Sequence, residues 1–263
     1  MLRALRAARG VADAYDLPCE DAVVLAGGSN VLVHLKPTPV VARVMTATAV
    51  LHDDLEGWLT REVAVGQFLG ERGLAVAPTR LAPPGPHQRD GLWMTLWDYV
   101  PHDSTFPSAG ELGHSLRQLH AALADFGGDL EPLMGIQGWL GRLLDDLQDD
   151  SLRAELDELT PRVFDSSLPA QPLHGDASVT NVLRTDNGLL WNDLEDVCAG
   201  PVEWDVAGLV VSARLRGQSE AFVAEFLGAY GGPQLDELSD FVAAHELYTA
   251  IWQAAQRSKS RTS

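Results

Sequence analysis

Cysteine is scarce in this chain of 263 residues: there are two, Cys19 and Cys198. They stand in no metal-ligand spacing, which argues against a disulfide scaffold and for a reducing compartment. Positive charge is short as well, with 19 Lys and Arg against 37 Asp and Glu, a net charge of −18. So acidic a surface repels nucleic acid and anionic membrane, because a basic footprint is what binds phosphate backbones. It suits a cationic small molecule, and it suits plain solubility equally well. No apolar run approaches the roughly 18 residues that span a bilayer. The arginine-bearing start, MLRALRAARGVADAY, lacks the continuous apolar stretch of a secretory signal. A cytoplasmic protein with no nucleic-acid or membrane partner is expected. Internal repeats and low-complexity tracts are also missing. What is present is 46% hydrophobic residues, enough for a substantial core, and a length that suits one large domain or two lobes.

The pattern changes once along the chain. Residues 1–15 have helical spacing, with Leu2, Leu5 and Ala8 near one face. Strands are expected at 22–26, 31–35 and 40–45, with GGSN (27–30) as a tight turn and KPTP (36–39) as a breaker. Residues 54–73 carry Leu55, Trp58, Leu59, Val63, Val65 and Leu69 at helical intervals. A loop over 83–91 and an apolar strand over 92–100 complete a sheet-rich N-terminal lobe at 1–100. From about residue 107 the pattern is mostly helical. Ser108 and Glu111 form the signature of a capping box before the helix at 108–126. Helices at 136–147 and 151–165, a short β segment, and helices from about Val202 make a C-terminal lobe at 101–263, with residues 257–263 frayed. The expected class is α+β, an antiparallel sheet lobe and a mainly helical lobe. Such an arrangement leaves a cleft at the junction, where ligand sites form.

The informative stretch is LHGDASVTNVLRTDNGLLWNDLEDV (173–197). VLRT and LLWN read as strands joined by the turn DNG. A three-residue loop sets Asn181 opposite Asp193, an amide and a carboxylate oxygen suited to Mg²⁺ with phosphate or water completing its shell. Asp176 lies just upstream, where a carboxylate can orient and deprotonate an attacking hydroxyl. The bland alternative is a capped surface turn.

The spacing His174-x-Asp176-x-x-x-x-Asn181, then NDLED and GPVEWDVAGL, resembles the aminoglycoside phosphotransferase and choline kinase group, which has a protein-kinase-like fold. The likeness extends over most of the chain, including the helix segment RQLHAAL (117–123), read as structural. It implies a bilobal kinase-like fold and transfer of the γ-phosphoryl of ATP or GTP, with Mg²⁺, to a hydroxyl of a small acceptor. It makes Asp176 the base and Asn181 and Asp193 the metal ligands. Gly27, Gly28 and Ser29 become the phosphate cradle, Arg43 the phosphate-binding cation, and Glu62 its ion-pair partner. Trp97 and Tyr99, in LWDYV, fall where the hinge meets the base. Arg43 departs from the usual lysine, exchanging a point charge for a planar fork. Glu195 fills a second acidic position, where its longer arm could hold a water on the metal, a cationic substrate, or neither. His174 and Asp205 are read as supports of the catalytic loop. The acceptor implied is a hydroxylated antibiotic, inactivated by phosphorylation. A metabolic kinase of an amino alcohol or sugar is the alternative, and a nucleotide-binding regulator without transfer is a third.

Overall fold

The structure, a computed structural model, describes residues 1–261, apart from the side chains at 50, 51 and 259–261. It divides into two compact units, Met1–Ser104 with Thr185–Glu195, and Thr105–Arg184 with Asp196–Ser263.

The first unit is built on a five-stranded antiparallel sheet. Its strands are β1 (Val23–Gly27), β2 (Asn30–His34), β3 (Val40–Met45), β4 (His87–Arg89) and β5 (Leu92–Asp98), in spatial order β1-β2-β3-β5-β4. Side chains alternate between the faces of a strand, and directly opposed residues share a face. One face therefore presents Val31, Val33, Ala42, Val44, Met94 and Leu96, and these pack with helix α1 (Leu2–Ala14). The contact stripe of α1 is Ala4, Ala7, Ala8, Val11 and Ala12, while Leu2 is 85% exposed. The expected leucine face is thus displaced, because small side chains let the helix lie close to the sheet. The other face carries Asn30 and Leu32 on β2, Arg43 on β3, and Thr95 and Trp97 on β5. Helix α2 (Leu55–Gly70) follows β3, capped by Asp54, whose carboxylate accepts from the Gly57 amide at 2.9 Å. Strand β4 lies inside the stretch expected to be a loop; it pairs along β5 through backbone groups that leave no alternation in the sequence.

The first unit also contains β8 (Gly188–Trp191). Trp191 is fully buried, and its backbone exchanges hydrogen bonds with Leu74 O (2.9 Å) and Val76 N (2.8 Å). The turn before β8 has two residues, Asp186 and Asn187, not the three expected. The Thr185 hydroxyl holds it, accepting from Asn187 N (3.1 Å) and donating to Gly188 O (2.8 Å), and Gly188 takes φ +114°. The loop length that set Asn181 opposite Asp193 is therefore not present.

The second unit contains α3 (Ala109–Leu123), α4 (Met134–Leu147), α5 (Asp150–Val163), β6 (Gln171–Leu173), β7 (Val182–Thr185, its last residue in the first unit), β9 (Cys198–Gly200), α6 (Glu203–Leu215), α7 (Glu220–Tyr230) and α8 (Ser239–Arg261). The capping box of α3 forms: the Ser108 hydroxyl accepts from Glu111 N at 3.3 Å, and Glu111 accepts from Ser108 N at 2.8 Å. Helix α6 is apolar nearly all round and is buried along most of its length, as suits a helix wrapped by others. Helix α8 continues to Arg261, through residues expected to fray; Thr262 and Ser263 lie outside the described residues. No helix among the described residues is long and apolar enough to cross a membrane.

Candidate active site

In the first unit, β3 turns Arg43 onto the sheet face opposite α1. Arg43 is 5% exposed, and its guanidinium meets three carboxylates. Nη1 donates to Glu62 on α2 at 3.0 Å. Nη2 donates to Asp193 Oδ1 at 2.7 Å, and it pairs with Glu195 Oε2. Thr95, opposite Arg43 on β5, places its hydroxyl 3.4 Å from the second oxygen of Glu62. Burial opposes the charge on Arg43, but Glu195, Glu62 and Asp193 outweigh it and hold the guanidinium firmly protonated. Burial pushes the Glu62 carboxyl up to about 8, against the pull of Arg43 and with help from Glu195 and Asp193. It pushes Glu195 up to about 7, again against Arg43, and the nearby Asp193 adds to the rise.

Burial is the largest cause, and the crowding of three carboxyl groups around one guanidinium adds to it. These hard oxygen donors suit a divalent cation such as Mg²⁺. Asp193 is the accessible donor, its side chain 35% exposed against 1% for Glu62 and 8% for Glu195. Among the described residues no group of three or more His, Cys, Asp or Glu side chains is arranged to hold a metal. Amide, phosphate and water oxygens are left to complete a shell.

The glycine turn lies in the same unit. A Cβ at Gly28 would meet nothing within 4 Å, so the space above it is open. The Gly28 amide, however, already donates to Asn30 O at 3.1 Å, which removes one of the three amides expected to cradle phosphate. The Ser29 carbonyl accepts from Ala47 N at 2.7 Å and from the Thr46 hydroxyl at 2.8 Å. Trp97 is 8% exposed; its ring fills the space where a Gly66 side chain would stand, and its Nε1 donates to Thr95 at 2.8 Å. Tyr99 stacks on His34 with ring centroids 4.0 Å apart.

In the second unit, β6 pairs with β9, with Leu173 opposite Cys198, and this places the loop beginning at His174 against Asp196. Gly175 takes φ +85°, and a Cβ there would sit 1.8 Å from the Asp196 carbonyl oxygen. Only glycine fits. Asp205, fully buried in the first turn of α6, accepts from two consecutive loop amides, His174 N at 2.7 Å and Gly175 N at 2.9 Å. His120 on α3 supports the same carboxylate, with Nε2 2.9 Å from Oδ2, and its other ring nitrogen lies 2.9 Å from the Tyr230 hydroxyl. Burial works to raise the Asp205 pKa, but the hydrogen bond and charge of His120 prevail and hold it below the usual value. Trp204 Nε1 donates to Gly175 O at 2.6 Å. With that bond and the two to Asp205, both ends of the His174–Gly175 backbone are fixed.

Asp176 follows directly. Asn181 Nδ2 donates to the Asp176 carbonyl and to its carboxylate Oδ2, both at 2.9 Å. This fixes the orientation of the amide and leaves its Oδ1 end for another partner. The segment between is wound tightly: Asn181 N donates to Ser178 O at 3.0 Å, and Val179 N to the Ser212 hydroxyl at 3.1 Å. Each unit thus assembles part of the residue set named from the sequence. Arg43, Glu62, Asp193, Glu195 and the glycine turn are in the first, and His174, Asp176, Asn181 and Asp205 are in the second. Sequence reasoning missed Asn30, which bonds Glu195, and gave Tyr230 and Trp204 no part. Asn30 reads in the sequence as one more turn residue, and the partners of Tyr230 and Trp204 are far along the chain.

A model of the phosphotransferase enzyme family matches residues 23–241. Among solved structures, the chain resembles a choline kinase from Streptococcus pneumoniae (14% identity, TM-score 0.70, 96% of this chain and 91% of that one). It also resembles an aminoglycoside-3'-phosphotransferase of type VIII (18%, 0.68, 94% and 100%). A third is an amicoumacin kinase in complex with AMP-PNP and Ca²⁺ (14%, 0.70, 89% and 81%). These likenesses establish the protein-kinase-like fold. The comparison with curated proteins gives no match.

Proposed function

Because the chain belongs to the phosphotransferase enzyme family, we propose that it transfers the γ-phosphoryl group of ATP or GTP to a hydroxyl of a small molecule. The observation that carries this reading is the loop His174–Asn181, whose backbone is fixed by Asp205 and Trp204 and whose Asn181 amide is keyed to Asp176. Phosphoryl transfer asks the protein mainly for positioning and charge. A buried, fully hydrogen-bonded support supplies the first. The arginine with its three carboxylates supplies the second.

Asp176 accepts a hydrogen bond from the acceptor hydroxyl, orients its oxygen, and takes its proton as attack proceeds. Asn181 Oδ1 in the second unit and Asp193 in the first are each oxygen ligands of the kind that would hold Mg²⁺. When bound, the ion neutralises the charge that moves onto the leaving diphosphate. Arg43, held by Glu62, reaches the donor phosphates with a planar fork, and the glycine turn lets a phosphate approach the backbone without a Cβ in the way. Trp97 and Tyr99 belong to the segment that meets the base. The acceptor is an alcohol that carries an amine. The net charge of −18 favours a cationic substrate, and the neighbours named for their substrates include choline, ethanolamine and aminoglycoside kinases. An antibiotic inactivated by phosphorylation and a metabolic amino alcohol both meet that description.

Diphosphate release is measured with Mg²⁺ and ATP or GTP over a panel of aminoglycosides and amino alcohols. Acceptor-dependent release is expected. Asp176→Asn should lower kcat by about 10²–10⁴, the usual worth of a positioned base. Equal turnover in that variant would remove the base assignment. Absence of both release and nucleotide binding in the wild type would remove the kinase reading.

A further inference from the structure

We infer that Asn30 is a positioning residue for the nucleotide phosphates, acting through Glu195 on Arg43. The inference rests on the phosphotransfer reading above. Asn30 opens β2, directly after the glycine turn, on the same sheet face as Arg43. Its side-chain amide is used at both ends. Oδ1 accepts from Thr46 N at 3.2 Å and from the Thr48 hydroxyl at 3.0 Å. Nδ2 donates to both oxygens of Glu195, at 3.4 and 3.3 Å. The backbone donor at Thr46 decides which end is oxygen, so the donor end must face the carboxylate.

Glu195 is 8% exposed and lies between Asn30 and Arg43. A buried carboxylate needs donors on its lone pairs, and a guanidinium fork is directional only when its acceptors are fixed. The Asn30 amide sets the plane of the Glu195 carboxylate. Glu195, with Glu62 and Asp193, then sets the plane of the Arg43 guanidinium. The neighbouring Ser29 carbonyl is bonded to Thr46 and Ala47. One residue therefore ties the glycine turn, the start of the β3–α2 connection and the phosphate-binding cation into a single geometry. The two ends of the amide also separate two roles. The Oδ1 end braces the turn, and the Nδ2 end donates to Glu195.

The test exchanges donor and acceptor. Asn30→Asp keeps the acceptor for Thr46 and Thr48 and sets a carboxylate against Glu195. Asn30→Asp combined with Glu195→Gln restores a donor–acceptor pair with its polarity reversed, and the Gln oxygen can still accept from Arg43. Affinity for Mg²⁺–ATP and Mg²⁺–GTP is read by calorimetry, and melting temperature is read alongside. Asn30→Asp should bind nucleotide about 10- to 100-fold more weakly, the worth of a lost charge-assisted hydrogen bond. The double variant should return to within about threefold of the wild type, as expected for two residues in direct contact. Unchanged affinity in Asn30→Asp, or a double variant no better than the single one, would overturn the inference. So would a melting temperature that falls and recovers while nucleotide affinity stays constant, since that describes a brace alone. A wild-type protein that binds neither nucleotide would instead overturn the phosphotransfer reading beneath it.

Discussion

Replacing Asp205 with asparagine keeps the shape of the side chain and removes its charge. It also turns one acceptor into a donor. The carboxylate accepts from Gly175 N at Oδ1, and from His174 N and His120 Nε2 at Oδ2. An amide has a single oxygen, so at least one loop N–H would face an NH₂ group in a place with no exposure. An unsatisfied buried donor costs about 1–3 kcal/mol, and more where the acceptor lost is charged. A loss of about 2–3 kcal/mol is expected, or roughly 4–12 °C in a chain of this size. Tryptophan fluorescence during heating and in urea reads the change. Asp176→Asn is the control, since it alters the same loop without touching the support. The acid range gives a second reading. The folded pKa of Asp205 lies below its ordinary 3.8. Its contribution to stability is therefore complete above that value and is lost as pH falls through the folded pKa. The asparagine variant lacks that loss. An Asp205→Asn protein that melts within about 2 °C of the wild type would refute the claim that this carboxylate holds the loop.

Two further outcomes follow from the second unit. Gly175→Ala should yield no folded protein, or one weaker by at least about 4 kcal/mol, because the methyl meets the Asp196 oxygen and the backbone holds φ +85°. Wild-type stability in a denaturant titration would contradict that. His245 is buried, its Nε2 lies 2.9 Å from Trp204 O, and burial pushes its pKa from 6.5 down to about 4 despite that hydrogen bond and Asp205. The unfolded chain takes up the proton first, so stability should fall as pH drops from about 6.5 to 4, by roughly 3 kcal/mol at about 1.4 kcal/mol per unit. His245→Gln should flatten that part of the stability–pH curve, and an unchanged slope would count against the assignment.

Much of the fold was legible because its signals are local. Strand β3 shows its β-branched residues, and the helix after Ser108 shows its cap three residues from its start. Strand β4 was not legible, since an edge strand of three residues between proline and glycine needs only a neighbour's backbone. The face of α1 misled for a different reason: leucine dominates a hydrophobicity pattern, yet alanine is what a close contact requires. At the candidate site, Asp176 and Asn181 are proposed from their spacing, whereas the register that set Asp193 opposite Asn181 assumed a three-residue turn that the chain does not have. The surroundings of these residues were not legible. Arg43 stands 150 residues from Asp193, and His120 stands 85 from Asp205. No periodicity spans such distances, so the three-carboxylate shell of Arg43 and the His120–Tyr230 link emerge only from the folded chain.

The backbone of Asp193 takes φ +62°, in the left-handed region. Most side chains resist that conformation, and aspartate, asparagine and glycine tolerate it best. The position thus answers to two filters at once, one on torsion and one on charge. An alanine there would confuse them, because it both deletes the carboxylate and strains the chain. Glycine deletes the carboxylate and relaxes the chain, and asparagine keeps the shape. A substitution series at this residue should therefore run through asparagine and glycine, and the gap between alanine and glycine measures what the torsion alone contributes.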